Sequence, residues 1–294
     1  MTQQSKSTVF IQKPDWLKRR LPTGPAYEQV KGMIGRDRLH TVCQEAKCPN
    51  IWECFAHQTA TFLIMGSRCT RNCRFCSVPQ GALEPPDPEE PTRIARVSKD
   101  MGLKYIVITS VTRDDLADGG AAIFARTITE IRHQIPNASV EVLIPDFQGN
   151  KDALYTVLKA RPDVLNHNIE TVQRLYPRVR PQADYRRSLK LIQRAHRYAP
   201  KLATKSGLML GLGETAAEIK QTLEDMLRAG CRILTLGQYL QPSKNHLTVE
   251  RFIPPEEFET WRKRALKIGF EEVASGPFVR SSYHAHELFQ KVKV

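Results

Sequence analysis

No stretch of the 294 residues approaches the roughly 18 consecutive apolar residues that a membrane-spanning helix needs. The first residues, Met1-Thr2-Gln3-Gln4-Ser5-Lys6-Ser7, lack an apolar core, so no secretory signal is expected. They also lack the Arg-rich amphipathic run of a transit peptide. Long runs of like charge are missing too. The densest basic segments, Lys18-Arg19-Arg20 and Arg262-Lys263-Arg264, stop at three residues, short of a basic nucleic-acid-binding tail. The expected setting is therefore a reducing, cytoplasmic one. There, clustered cysteines serve as metal ligands more often than as disulfides. Pairing all seven cysteines would in any case leave one over.

The rest of the composition is that of a soluble globular protein, with 41% hydrophobic and 26% charged residues. Lysine and arginine outnumber aspartate and glutamate 44 to 31, a formal charge of +13. Such an excess favours an anionic partner: nucleic acid, phosphate or an acidic protein surface. The charge is dispersed, as in Arg178-x-Arg180 and Arg186-Arg187, so scattered solvated faces account for it equally well.

From residue 59 onward, short β-branched runs alternate with helical periodicity. The apolar runs Thr59–Met65, Tyr105–Ser110, Ser139–Ile144, Asp163–Asn168, Ala203–Leu210 and Arg232–Leu236 read as strands. Between them the pattern predicts helices near Thr92–Met101, Ala121–Ile135, Lys151–Ala160, Tyr185–Tyr198 (capped by Asp184), a segment capped by Thr215, and Glu256–Ile268. Six β/α units predict a partial (β/α)6 barrel, although the pattern alone leaves an open doubly wound sheet in play. In either case reactive groups belong at the C-terminal ends of the strands. Residues 1–58 read as an N-terminal extension, 59–270 as the barrel and 271–294 as a C-terminal tail.

What is abundant is cysteine in one place. Six of the seven lie between residues 43 and 76, in two triads. Cys43, Cys48 and Cys54 have C-x4-C-x5-C spacing; Cys69, Cys73 and Cys76 have C-x3-C-x2-C spacing. Neither is the C-x2-C-x2-C-x3-C-P run of a bacterial ferredoxin, and the second fits structural zinc poorly. Three thiolates can hold three irons of a 4Fe–4S cube and leave the fourth open. Arg68, Thr70, Arg71, Asn72 and Arg74 around the second triad argue against a buried apolar thiol cluster. Cys231 begins an apolar strand and reads as a buried structural thiol.

C-x3-C-x2-C with Phe75 before its last cysteine, in the loop after the first strand of a β/α series, resembles the radical S-adenosylmethionine (radical SAM) superfamily. Together with the first triad, Cys48-Pro49-Asn50, Thr109-Ser110-Val111-Thr112-Arg113-Asp114-Asp115, Asn166-His167-Asn168-Ile169-Glu170 and Arg280-Ser281-Ser282-Tyr283, it resembles lipoyl synthase over nearly the whole chain. Gln44, Trp52 and Phe55 are small departures that remove no ligand.

The resemblance implies that Cys69, Cys73 and Cys76 bind a 4Fe–4S cluster that cleaves SAM. It implies that Cys43, Cys48 and Cys54 bind a second, auxiliary 4Fe–4S cluster with Ser282 as fourth ligand, Ser281 being the alternate. On spacing alone the two serines are a plain turn. The implied reaction is insertion of two sulfur atoms at C6 and C8 of an octanoyl-lysine. The implied partners are octanoylated lipoyl carrier domains of 2-oxoacid dehydrogenases and the glycine cleavage H protein. A ferredoxin or flavodoxin would donate electrons, with no nucleic acid or membrane involved.

Asp114, Asp115 and Glu170, just past strand ends, are candidate SAM contacts, with loop and helix capping as the equal alternative. His167 reads equally as a core or a site histidine, and His284 and His286 as surface. Rival readings are an RNA methylthiotransferase, a biotin synthase type of enzyme, or a non-enzymatic dicluster electron carrier.

Overall fold

The computed structural model describes residues 12–18, 25–45, 50 and 61–292. Cys48, Cys54, Trp52, Phe55 and the first two residues of the expected first strand lie outside these.

Strands β1 (His40–Thr41), β2 (Thr61–Ile64), β3 (Tyr105–Ser110), β4 (Ser139–Leu143), β5 (Val164–Asn166), β6 (Ala203–Leu210), β7 (Ile233–Gln238) and β8 (Glu272–Gly276) form one sheet in sequence order. β1 pairs antiparallel with β2, and every later pairing is parallel. Helices α1 (Pro25–Arg36) and α2 (Val42–Glu45) precede β2. The crossovers are α3 (Glu90–Asp100), α4 (Ala121–Gln134), α5 (Lys151–Lys159), the short α6 (Tyr176–Val179) with α7 (Tyr185–Tyr198), α8 (Ala216–Arg228) and α9 (Pro255–Ile268). Helix α10 (Ala285–Val292) ends the described chain.

The strand order decides between the two architectures left open above. A doubly wound sheet reverses direction at a switch point, whereas here each crossover moves the same way. Crossovers of one hand then put all the helices on one face, and the sheet must curl to cover the other. Six β/α units run from β2 to α9, as expected, and β8 with α10 completes the wall. The strands of this wall are buried on both faces: β2 and β7 have no exposed position.

The predicted helical faces pack as read. Phe124, Ile128 and Ile131 of α4 and Ile219, Leu223 and Met226 of α8 are buried, while Ile135, past the end of α4, is only partly so. Asp184 caps α7 by accepting from Arg187 N at 2.6 Å. Thr215 and Glu218 form a reciprocal capping box on α8. Leu288, Phe289 and Val292 of α10 close the opposite, N-terminal end of the wall against Val164, Ala203 and Ile233. No helix among the described residues is long and apolar enough to cross a membrane.

Candidate active site

Parallel strands gather their C-terminal ends at one mouth, and the loop carrying Cys69, Cys73 and Cys76 follows β2 into it. The loop is tied down by its neighbours. Thr70 N and Oγ1 both donate to Thr112 O beyond β3, at 3.0 and 2.9 Å. Arg74 N donates to Val179 O at 2.9 Å, and Asn72 N to Gln182 Oε1 at 2.6 Å. From the loop after β7, Leu247 N donates to Arg74 O, and His246 Nε2 meets Cys76 O at 2.9 Å. Two backbone amides, Arg71 N and Thr112 N, point at Cys69 Sγ from 3.4 and 3.3 Å.

Arg71 anchors the loop through charge. Its guanidinium grips Asp114 with two hydrogen bonds of 2.7 and 2.9 Å and reaches Asp146 at 2.6 Å. The Arg71 side chain is 3% exposed and that of Asp146 0%. Burial opposes both charges, but their mutual contact outweighs it. The Arg71 pKa is raised, and the Asp146 carboxyl sits below the usual carboxylate range. Arg187 Nε approaches the other oxygen of Asp146 at 3.2 Å without hydrogen-bond geometry. Asp115 is gripped by Arg113. Both aspartates offered above as SAM contacts thus carry an arginine partner here, Asp114 as part of the loop's anchor.

Glu170 lies deeper. It is held at φ 68° and joined by backbone to β6, with Glu170 N donating to Gly207 O at 2.9 Å. Burial raises its carboxyl, opposed by Arg180, Asn168 and Arg280. It also faces Cys73 and Cys76. Burial pushes the Cys73 thiol up against the opposing charge of Arg180, and pushes Cys76 up to about 12. His167 donates from Nδ1 to Ile144 O at 2.8 Å and is lowered to about 4 by burial and by Arg180. It is a buried, neutral histidine of the wall. Cys231 is buried, as read.

The first triad is described at Cys43, buried in α2 against the main core. Next to the outlying Cys48-Pro49, Asn50 is buried and donates from Nδ2 to Phe278 O at 2.7 Å, joining that segment to the tail. Ser281 Oγ accepts from Asn168 Nδ2 at 2.6 Å. The sequence reading missed Asn168, Arg180, Asp146 and Arg71 as site groups. Arg71, inside the cysteine motif, and Asn168, inside the Asn166–Glu170 run, carried a signal; Arg180 and Asp146 did not.

The donor set fits a cluster rather than a single ion. Among the described residues no three His, Cys, Asp or Glu side chains converge on one metal position. A 4Fe–4S cube takes one thiolate per iron, so its three ligands need not meet at a point. Cys69, Cys73 and Cys76 are partly exposed on one loop and feel one another's charge, as such a ligand set requires. A cleft of about 1030 Å³ at the other end of the strands is lined by Asp163, Lys201, Arg232 and Phe289, among others, with Cys231 as the one cysteine in its lining. The mouth, not that cleft, is the site.

The model of the radical SAM superfamily matches residues 63–226, and that of the N-terminal domain of lipoyl synthase of the radical SAM family matches residues 2–48. Lipoyl synthase of Desulfotalea psychrophila is 55% identical, covering 99% of this chain and 97% of its own. That of Rubrobacter xylanophilus is 54% identical over 94% of this chain and 86% of its own. Among solved structures, SAM-bound SuiB of Streptococcus suis superposes with TM-score 0.56 at 11% identity, over 74% of this chain and 50% of its own. Methylornithine synthase gives 0.52 at 13% identity, over 84% and 77%; these two bear on the fold.

A partial barrel with a three-cysteine loop at its mouth is the architecture of a radical SAM enzyme, with SAM and 4Fe–4S clusters as its cofactors. At more than half identity over nearly its full length, the chain belongs to the lipoyl synthase family and is a sulfurtransferase.

Proposed function

We propose that the two cysteine triads divide the lipoyl synthase reaction between them. Cys69, Cys73 and Cys76 hold the SAM-cleaving cluster. Cys43, Cys48, Cys54 and Ser282 hold the auxiliary one. The single observation that carries this division is the Asn50–Phe278 hydrogen bond, which ties the segment of the first triad to the tail bearing Ser282, over 228 residues of sequence. When bound, the clusters supply the electron that cleaves SAM and the sulfur that enters C6 and C8 of the octanoyl chain.

The protein's own groups do the rest. Arg71, with Asp114 and Asp146, fixes the loop before anything binds. Arg180, buried across the mouth, donates from Nη1 to Asn168 O at 2.9 Å and supplies positive charge beside Cys73. Cluster assembly must draw protons from the Cys73 and Cys76 thiols, which burial favours, so the fixed positive charge of Arg180 assists it at Cys73. Glu170 faces the same space and remains the strongest of the three SAM-contact candidates, because among the described residues no arginine closes on it with the two-pronged grip seen at Asp114 and Asp115. A serine oxygen at the fourth auxiliary position is a harder ligand than thiolate and leaves more readily, which suits a cluster that gives up sulfur.

The substrate is an octanoylated carrier domain. The 2-oxoacid dehydrogenase subunits and the glycine cleavage H protein are the proposed carriers, a ferredoxin or flavodoxin the proposed donor, and the cytoplasm the proposed setting. The division of the chain into residues 1–58, 59–270 and 271–294 is carried forward with the barrel wall running on through β8.

Two variants test the division of labour. Cys73→Ala should abolish formation of 5′-deoxyadenosine. Cys48→Ala should retain it and abolish 6,8-dithio-octanoyl product. If both variants lost only SAM cleavage, the assignment would fail. Iron analysis of the intact chain should give roughly eight atoms, four per cube.

A further inference from the structure

The segment after β8 is held at the mouth by contacts from three distant parts of the chain. Asn50 Nδ2 donates to Phe278 O at 2.7 Å. Gly237 of β7, paired with Gly276 of β8, makes room for the tail's backbone; a Cβ at Gly237 would lie 2.2 Å from Val279 O. Asn168, two residues beyond β5, donates from Nδ2 to Ser281 Oγ at 2.6 Å, the contact of the three that touches the serine pair itself. The same asparagine acts on the partly buried Glu170 carboxyl, favouring its charged form, and Glu170 faces Cys73 and Cys76 on one side and Arg280 on the other. Among the described residues its Oδ1 is buried without a hydrogen-bond partner, and a Cβ at Gly207 would crowd it at 3.2 Å. Asn168 therefore stands between the second cysteine triad and the tail, in a slot shaped around it.

We infer that Asn168 is a positioning residue that couples the two cysteine sites: by occupying Ser281 it fixes the turn at residues 281–284 so that Ser282 is presented to the first triad. The inference rests on the reading of Ser282 as the auxiliary ligand. Asn168 is suited to the task because its amide nitrogen donates to the Ser281 oxygen while carrying no charge beside Glu170. Aspartate has the same shape but no proton to give, and it would place a second carboxylate beside Glu170. Asn168→Asp should therefore behave as a loss of function despite its size, which a purely space-filling role does not predict.

The test isolates the auxiliary cluster in a chain whose Cys69, Cys73 and Cys76 are replaced by alanine. The readout is the anaerobic rate at which a ferrous chelator strips its iron. Asn168→Asp and Ser281→Ala should each speed the loss about tenfold, the scale of one lost hydrogen bond. Combined, they should do no more than either alone, and Ser281→Thr, which keeps the hydroxyl, should restore the original rate. Unchanged rates in the single variants, or effects that multiply in the double, overturn the coupling. Ser282→Ala separates the two levels: if it alone leaves the rate unchanged, the ligand assignment fails, and if it alone raises the rate, the positioning role fails. In the intact two-cluster chain, the change in the cluster's EPR spectrum on adding SAM should persist in Ser281→Ala. Its loss would place the effect at the SAM site and overturn the proposal.

Discussion

His167 shows how far a side chain's chemistry depends on where the wall places it. Burial, then the charge of Arg180, lowers its pKa to about 4, while an unfolded chain titrates near 6.5. Above that value both states are neutral and the bond to Ile144 O is kept. As the pH falls from about 6.5 towards 4, only the unfolded state takes up the proton, so stability is lost across that window. Between pH 7 and pH 5 the loss is roughly 1.5 pKa units, or about 2 kcal/mol. His167→Gln removes the titrating group, so its urea midpoint should fall less from pH 7 to pH 5 than that of the parent. Acid lability of the clusters is common to both chains and cancels in the difference; an identical fall in both would refute the account. Sequence alone left this histidine undecided, because nothing local distinguishes a core from a site imidazole. The cysteines were legible because ligand spacing is local. Their supports were not: Asp114 and Asp146 stand 43 and 75 residues from Arg71, and only the closing of the wall brings them together.

Elements were legible where the signal is short-range. Tyr105–Ser110 and Ala203–Leu210 are the observed strands to the residue, and the Asp184 and Thr215 caps start their helices as read. What escaped notice is made by partners. β8, Glu-Val-Ala-Ser-Gly, has one β-branched residue and is a strand because β7 pairs with it along its length. β1 has two residues and exists only against β2. α10 is short, yet its Leu288, Phe289 and Val292 cover the end of the wall. Even in correctly read strands, the interior surprises: Lys205 of β6 and Glu141 of β4 are both buried and meet at 3.0 Å, with Tyr105 and Asn166 donating to the same carboxylate. An alternation rule turns such residues outward; here full pairing makes them tolerable inside. Caps give a clean test at this scale. Thr215→Ala removes the hydroxyl half of the capping box, leaving the Thr215 amide on Glu218, at an exposed helix end far from the cysteines. It should cost about 1 kcal/mol and lower the melting temperature by a few degrees, leaving SAM cleavage unchanged. A loss of cleavage at full iron content would mean that α8 does more than brace the wall.

For the molecule as a whole, the dispersed charge of +13 is the feature that no single element explains. Ion pairs on the described surface consume much of the acidic complement: Arg174 pairs with Glu218, Arg178 with Glu250, Arg232 with Glu271 and Arg251 with Glu257. Pairing one for one leaves the excess of 13 cations unneutralised, and two cubes would offset only part of it. A carrier domain with an acidic surface would then be drawn to the mouth by a long-range field rather than by one docking residue. Such a field is screened. Raising ionic strength from about 0.1 M to about 1 M shortens the Debye length from roughly 10 Å to roughly 3 Å. The association rate of an octanoylated carrier should fall about tenfold or more, and its KM should rise, while the dissociation rate changes little. Uncoupled cleavage of SAM without carrier provides the internal control and should hold steady over the same range. If carrier binding proved indifferent to salt while that control held, the positive surface would have to serve something other than substrate capture.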